Sequence, residues 1–296
     1  MLEETCQKIL DCAKISGADQ ADVMAVHGTS ISIEVRKQAL EQIERSDGIE
    51  FGLRVFKGKR QAIVSGSDLS EASIKLMTER AVDMAKAAPE DPYCGLAKKS
   101  ELVAAWDVDE LELSDDQAEP QPEELENQAK EAEYFALENQ SVDQVQSASS
   151  AYSKTKIHLS ATNGFNGGYS KTSFSTSCVA IARSQSGLER DYDGDLRIFK
   201  RDLRSPEEIG IRAAKRAVSK LEARKPKTGV YPVIFDERVS SSLIGHLLAA
   251  TNGVAVAKGS SWLLNRKGTQ VLPCLLYTSD AADDTPCVDL GGRRII

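Results

Sequence analysis

Three histidines are present in the chain, His27, His158 and His246. A hydrolytic zinc takes three protein ligands and leaves a place for water. On a helix, two ligands stand about one turn apart, with a glutamate to accept the water proton. None of the three has a second histidine within helical reach, so the residues alone assemble no paired-imidazole site. His27 falls in a strand-and-turn region where a structural role is expected. His158 alternates with Ile157 and Leu159 and is expected on the solvated side of its strand. Glu189, Asp191, Asp193 and Asp195 could line one strand face, where like charges repel unless a cation intervenes. Arg190, Arg197, Lys200 and Arg201 are the expected partners, and a metal is the remote alternative. The glycine-rich stretch Asn163-Gly164-Phe165-Asn166-Gly167-Gly168 is followed by strand sequence. A phosphate cradle needs a helix start there, so the stretch reads as an Asn-Gly turn. The patterns G-x-x-x-x-G-K-[ST] and G-x-S-x-G are both absent.

The elements that must carry these groups follow from periodicity. Leu2, Cys6, Ile9, Leu10 and Ala13 recur at helical spacing up to Ser16-Gly17. Strands are expected at Ala21–Val26, at Ile31–Val35, at Ile49–Val55 and, after a turn at Lys57–Arg60, at Gln61–Ser65. A helix is predicted to start at Asp68, with Glu71 closing a capping box and Ile74, Met77, Ala81 and Met84 buried. Further strands are expected over 155–160, 168–183 and 188–200. Ser205-Pro206-Glu207-Glu208 is a helix start with a capping box of its own, and Ile209, Ala213, Ala217 and Leu221 form the stripe behind it. Val230–Asp236 reads as a strand and Glu237–Ala250 as a helix burying Val239, Leu243, Leu247 and Ala250. The first hundred residues thus form a two-layer α+β unit.

Thirteen acids against one base, Lys130, lie between Asp107 and Glu138. The preferred reading is a solvated helix beginning after Pro122, with Leu125, Ala129 and Ala132 turned inward; the alternative is an acidic surface for a basic partner. The whole chain has 296 residues and a formal charge of −8, which counts against direct nucleic-acid contact. No apolar run approaches a membrane span and no signal segment is visible. Six cysteines without a C-x-x-C pair fit reduced thiols in the cytoplasm.

From Cys274 the text CLLYTSDAADDTPCVDLGGRRII loses all hydrophobic period. It resembles the in-frame translation of a sequencing-library adapter, so residues 274–296 are set apart from the fold, as an engineered scar would be. The expectation is a chain whose C-terminal part is missing.

Three runs carry a resemblance to a known family: SATNGFNGGYSKTSFSTSCVAIA, EEIGIRAAKRAVSKLEARKPKTGVYPVIFDERV and SSLIGHLLAATNGVAVAKGSSWLLNRKGTQV. They resemble the PmbA/TldE branch of the TldD/PmbA family. The resemblance implies a cytosolic heterodimeric metallopeptidase (a hydrolase) that trims unfolded peptides, among them leader segments of modified antibacterial peptides and an antitoxin. The peptide would be held extended in an enclosed cavity. It implies that a TldD-like partner carries zinc on a His-Glu-x-x-x-His helix. Here the matching helix is Leu243–Asn252, with His246 in the first ligand position, Leu247 in place of the glutamate and Thr251 in place of the second histidine. No cofactor is therefore expected in this chain, and zinc is expected in the partner. The alternative is a non-catalytic peptide-binding or scaffolding protein, with any effect on DNA gyrase indirect. The implied fold is α+β: a two-layer helix and antiparallel-sheet domain, then a β-rich, incomplete C-terminal domain. The expected divisions are 1–105 (α+β), 106–150 (acidic helical connector), 151–222 (polar strands and helix), 223–273 (start of the C-terminal domain) and 274–296 (adapter-like).

Overall fold

Ala21, Val23 and Ala25, then Ile31, Ile33 and Val35, place the odd-numbered side chains of one long strand on a single side, and all six are buried. The computed structural model describes residues 1–103, 108–185 and 187–270. It contains a first unit, Met1–Arg224, and a second that begins at Lys225. Asp107 and residues 274–296 lie outside the described residues.

In the first unit, helix α1 (Leu2–Ile15) precedes β1 (Gln20–Arg36), β2 (Ala39–Lys57) and β3 (Arg60–Gly66). Helices α2 (Glu71–Ala87) and α3 (Pro122–Leu137) follow, then β4 (Val142–Ala161), β5 (Asn166–Ser184), β6 (Gly187–Arg197) and α4 (Pro206–Ser219). The strands form one antiparallel sheet in the order β3-β2-β1-β4-β5-β6. The chain is α+β, as expected.

The two strands expected at 21–26 and 31–35 are one. Polar His27–Ser30 does not interrupt it, because β1 is paired on both sides, with β2 and with β4, throughout that stretch. Ladder hydrogen bonds, not side-chain polarity, decide continuity. The same pairing joins segments 1–105 and 151–222 into a single sheet.

Four helices cover one face in two groups. Helices α1 and α2 pack over Ala21, Val23, Ala25, Phe51, Leu53 and Val55. Helix α3 covers Ile31, Ile33, Val35, Tyr152 and Phe174 through Leu125 and Ala129, and with α4 it covers Ala148, Cys178, Ala180 and Ala182. Each large aliphatic side chain so buried contributes roughly 1.5–3 kcal/mol. Small residues let α3 and α4 approach closely. A Cβ on Gly210 would stand 2.3 Å from the Ala132 carbonyl oxygen.

Helix ends follow local chemistry, with one shift. Ser205 caps α4 by accepting the Glu208 N–H, and Pro206 opens the helix. On α2 the cap is Ser70, which accepts the Ser73 N–H; Asp68, the expected cap, instead accepts the Ser70 N–H. The buried stripe moves accordingly to Ile74, Thr78, Ala81, Val82 and Ala85, and Met84 is exposed. The β1–β2 turn carries Lys37 and Gln38 at φ of 55° and 59°, and neither is a residue that favours the left-handed region. Their backbone N–H groups donate to the two carboxylate oxygens of buried Glu133 on α3 at 2.7 and 2.6 Å. The acidic run is therefore only partly a wet face.

In the second unit, helix α5 (Glu237–Thr251) is present as expected. Residues 230–236 are not a strand. A strand exists only through a paired neighbour, and among the described residues this segment has none. For the same reason Val239 and Leu243 of the expected stripe are exposed and only Ala250 is buried.

Candidate functional site

The buried face of the sheet is interrupted between its two helical groups. Register sets two rows of side chains there: Ile49, His27, Lys156 and Ser170 in one, Asp47, Thr29, Lys154 and Thr172 in the other. Directly opposite residues of antiparallel strands share a face, so both rows point where the helices are. Apart from Thr172, none of these residues is buried. The helical layer is therefore open over them. A cleft of about 630 Å³ enters this opening beside the first turn of α1, lined among others by Leu2, Glu3, His27, Lys156, His158 and Ser170.

His27 and Asp47 form a cross-strand pair, Nε2 to Oδ1, at 2.9 Å. The His27 hydrogen bond, aided by Thr29 and Arg45, holds the Asp47 carboxyl below the usual carboxylate range. His158 does not point to open solvent as its apolar neighbours imply. It lies opposite buried Ala25, on the helix-covered side. Its Nε2 meets Asn166 Oδ1 at 2.8 Å, and Ser160 donates to the same oxygen. That oxygen can only accept, so Nε2 carries the proton. Asn166 in turn donates to Glu3 at 2.5 Å, tying α1 to the β4–β5 hairpin. Gly168 is required alongside, because a Cβ there would lie 2.4 Å from the Ile157 carbonyl oxygen and 2.8 Å from His158 Nδ1. The glycine-rich stretch is the β4–β5 turn, with Asn163 Oδ1 accepting the Phe165 N–H.

The β6 carboxylates are held by other cations than their sequence neighbours. Asp193 is paired with Arg204, Arg212 and Arg216, and Asp191 with Lys220, all on or next to α4. Of the four expected partners only Arg197 binds one of them, Asp195. Arg190 donates to Gln146, Lys200 pairs with Glu124, and Arg201 lies over Phe199 and beside Asp202. These inward acids neutralise α4 and protect an edge strand.

His246, Leu247 and Thr251 lie on α5 in the second unit. His246 is exposed, Leu247 half-buried, and the Thr251 hydroxyl is engaged with the Leu248 carbonyl at 2.8 Å. One imidazole, one hydrocarbon and one hydroxyl do not make a zinc donor set. Among the described residues, no group of three His, Cys, Asp or Glu side chains is placed to hold a metal. These three positions do not fit zinc.

Lys154 and Lys156 do not stand out in the sequence as site residues. The signal lies in the alternation of β4: even-numbered Ala148, Ser150, Tyr152 and Ser160 are buried, and the lysines interrupt that same series.

Comparison with known proteins covers all three segments. Residues 21–85 match the PmbA/TldA metallopeptidase domain 1, residues 115–221 the central domain and residues 228–288 the C-terminal domain. Over 275 residues the chain is 32% identical to the metalloprotease PmbA of Escherichia coli O157:H7, covering 92% of this chain and 60% of that protein. A crystal structure from Bacteroides thetaiotaomicron, described as a modulator of DNA gyrase, superposes with a TM-score of 0.81 at 23% identity, covering 90% of this chain and 61% of that one. TldE from Thermococcus kodakarensis gives 0.68 at 16%, covering 88% and 58%. The two structures show a shared fold. The chain spans about three fifths of the length of the relatives it matches.

Proposed function

The chain belongs to the PmbA/TldD metallopeptidase family, and on that premise we propose that it is the PmbA/TldE-like subunit of a cytosolic, zinc-dependent peptidase. In this reading it lacks the zinc motif, shapes the cavity and holds unfolded peptide, while a TldD-like partner supplies zinc and cuts. The observation that carries it is the donor set on α5. A hydrocarbon at Leu247 cannot take the proton of a metal-bound water, and the Thr251 hydroxyl is already engaged within its helix. Extended peptide would be read mainly through its backbone. Unpaired thiols at Cys6, Cys12, Cys94 and Cys178 support a reducing compartment, and the charge of −8 supports the absence of direct nucleic-acid binding. Among the described residues no helix is long and apolar enough to cross a membrane.

The division of the chain belongs to the same proposal: residues 223–273 open the C-terminal domain, and 274–296 derive from adapter sequence. The third family match continues to residue 288 and pulls the other way. Reading the gene past Val271 decides between them.

The test mixes this chain with a TldD-like partner and an unfolded peptide. The pair should cut faster than the partner alone, and zinc chelation should stop it. A pair no faster than the partner, with cleavage untouched by chelation, would leave a peptide-binding or scaffolding protein. Stoichiometric zinc with turnover in this chain alone would overturn the reading.

A further inference from the structure

Lys154 and Lys156 stand two residues apart on the helix-covered side of β4, and among the described residues neither ammonium has a carboxylate within ion-pair distance. Two like charges on one strand face repel. The acid nearest by register, Asp47, belongs to the His27 and Thr29 pairings. On β6, by contrast, inward Asp193 gathers three arginines around one carboxylate. The opening thus holds two lysines without carboxylate partners, while the acids at its margin are engaged, Asp47 with His27 and Thr29 and Glu3 with Asn166. Thr29 and Ser170 flank the lysines in register on the neighbouring strands, and His27 lies beside Lys156. The three strands β1, β4 and β5 are spaced ~4.8 Å apart, so the floor is about 10 Å across, which accommodates three residues of extended chain at ~3.3 Å each.

We propose that this opening is a docking groove for an acidic, extended peptide segment, whose carboxylates are received by Lys154 and Lys156. Charge complementarity sets the preference, and at Lys156, which lines the cleft beside α1, the attraction is less screened than on open surface. The proposal needs neither a partner subunit nor cleavage. Loss of binding would leave the subunit reading standing, and loss of partner-stimulated cleavage would leave the groove standing.

The probe is a fluorescein-labelled octapeptide of alternating glutamate and alanine, titrated with the full chain by anisotropy. The same peptide with glutamine and an eight-nucleotide thymidine oligomer serve as comparisons. The glutamate peptide should bind roughly tenfold tighter than the glutamine peptide at low salt, as two recovered ion pairs allow. The preference should shrink in high salt. Lys154→Gln with Lys156→Gln should abolish it, Lys154→Arg with Lys156→Arg should retain it, and exposed Lys8→Gln should leave it unchanged. Carbodiimide cross-linking of the bound peptide, which needs no variant, should map to Lys154 or Lys156. Equal binding of the two peptides, tighter binding of the oligonucleotide, an unaffected double glutamine variant or cross-links found only elsewhere would overturn the proposal.

Discussion

The carboxylate of Glu133 accepts the Gln38 backbone N–H at 2.6 Å, from a helix 95 residues further along the chain. The other oxygen takes the Lys37 N–H, and the Gln38 side-chain amide donates as well. One buried side chain thereby holds a turn in which two ordinary residues adopt positive φ. Charge-assisted hydrogen bonds contribute about 1.5–3 kcal/mol each. Glu133→Ala should therefore lower unfolding stability by about 3 kcal/mol, seen as a fall in the urea midpoint at unchanged slope. A loss under ~0.5 kcal/mol, the size of an ordinary surface change, would mean that the turn stands without it.

Gly210→Ala separates two opposing effects. Helix propensity alone favours alanine by about 1 kcal/mol. Backbone overlap with the Ala132 carbonyl forces α3 and α4 apart, and overpacking of this kind costs about 1–3 kcal/mol. A net lowering of the melting temperature is expected. A rise would show that the helices have room to spare.

Asp195 links the fold to acid pH. Its burial works to raise the carboxyl pKa, but the Arg204 N–H and the Arg197 side chain outweigh that and hold it below the usual range. A depressed folded value means the stabilisation is present above the unfolded value, near ~3.9, and is lost as pH falls through the folded one. Denaturant midpoints measured downward from about pH 5 should fall, and Asp195→Asn should flatten that limb. An identical acid limb in the variant would remove Asp195 from the account.

At the alkaline end, burial pushes the Cys178 thiol up to about 12. The raised folded value makes its contribution fully present below the unfolded value, near ~8.5, and lost as pH rises toward 12. Iodoacetamide at pH near 8 followed by peptide mapping should leave Cys178 unmodified in the native protein and label it in urea, because only thiolate reacts. Among the described cysteines, partly exposed Cys12 should label first. Native labelling of Cys178 at the rate of Cys12 would contradict its burial.

His246→Ala addresses the proposed division of labour. With Leu247 and Thr251 beside it, the imidazole has no metal-sharing group among the described residues, so partner-stimulated cleavage should stay within about twofold of the parent chain, a change under ~0.5 kcal/mol in barrier. A tenfold or larger loss in kcat/KM at an unchanged melting temperature would return His246 to the chemistry.

Elements governed by a few adjacent residues are legible in the linear sequence. Ser205-Pro206 opens α4 because cap and first-turn requirements are met within four residues. The inward stripe of α3, Leu125, Ala129 and Ala132, follows from period alone. The side-chain chemistry at positions 246, 247 and 251 also shows in the order of residues, since it needs no coordinates. The Lys37-Gln38 turn, by contrast, carries no turn-forming residue, because its support comes from Glu133. The partners of Asp193 are hidden for a similar reason: they belong to a helix that docks on β6, not to the strand's own neighbours.

Residues 230–236 show the limit from the other side. Their composition favours a strand, yet strand formation depends on a neighbour that composition does not supply. Local preference, capping and alternation settled which segments could be helix or strand and which side of each is apolar. Register and the placement of the helices settled which polar residues share a face, where the helical layer stops and what lies exposed on the floor of the opening. The first set of choices involves interactions within a turn or two of chain. The second is made by contacts between residues dozens of positions apart, which form only when the whole sheet is assembled.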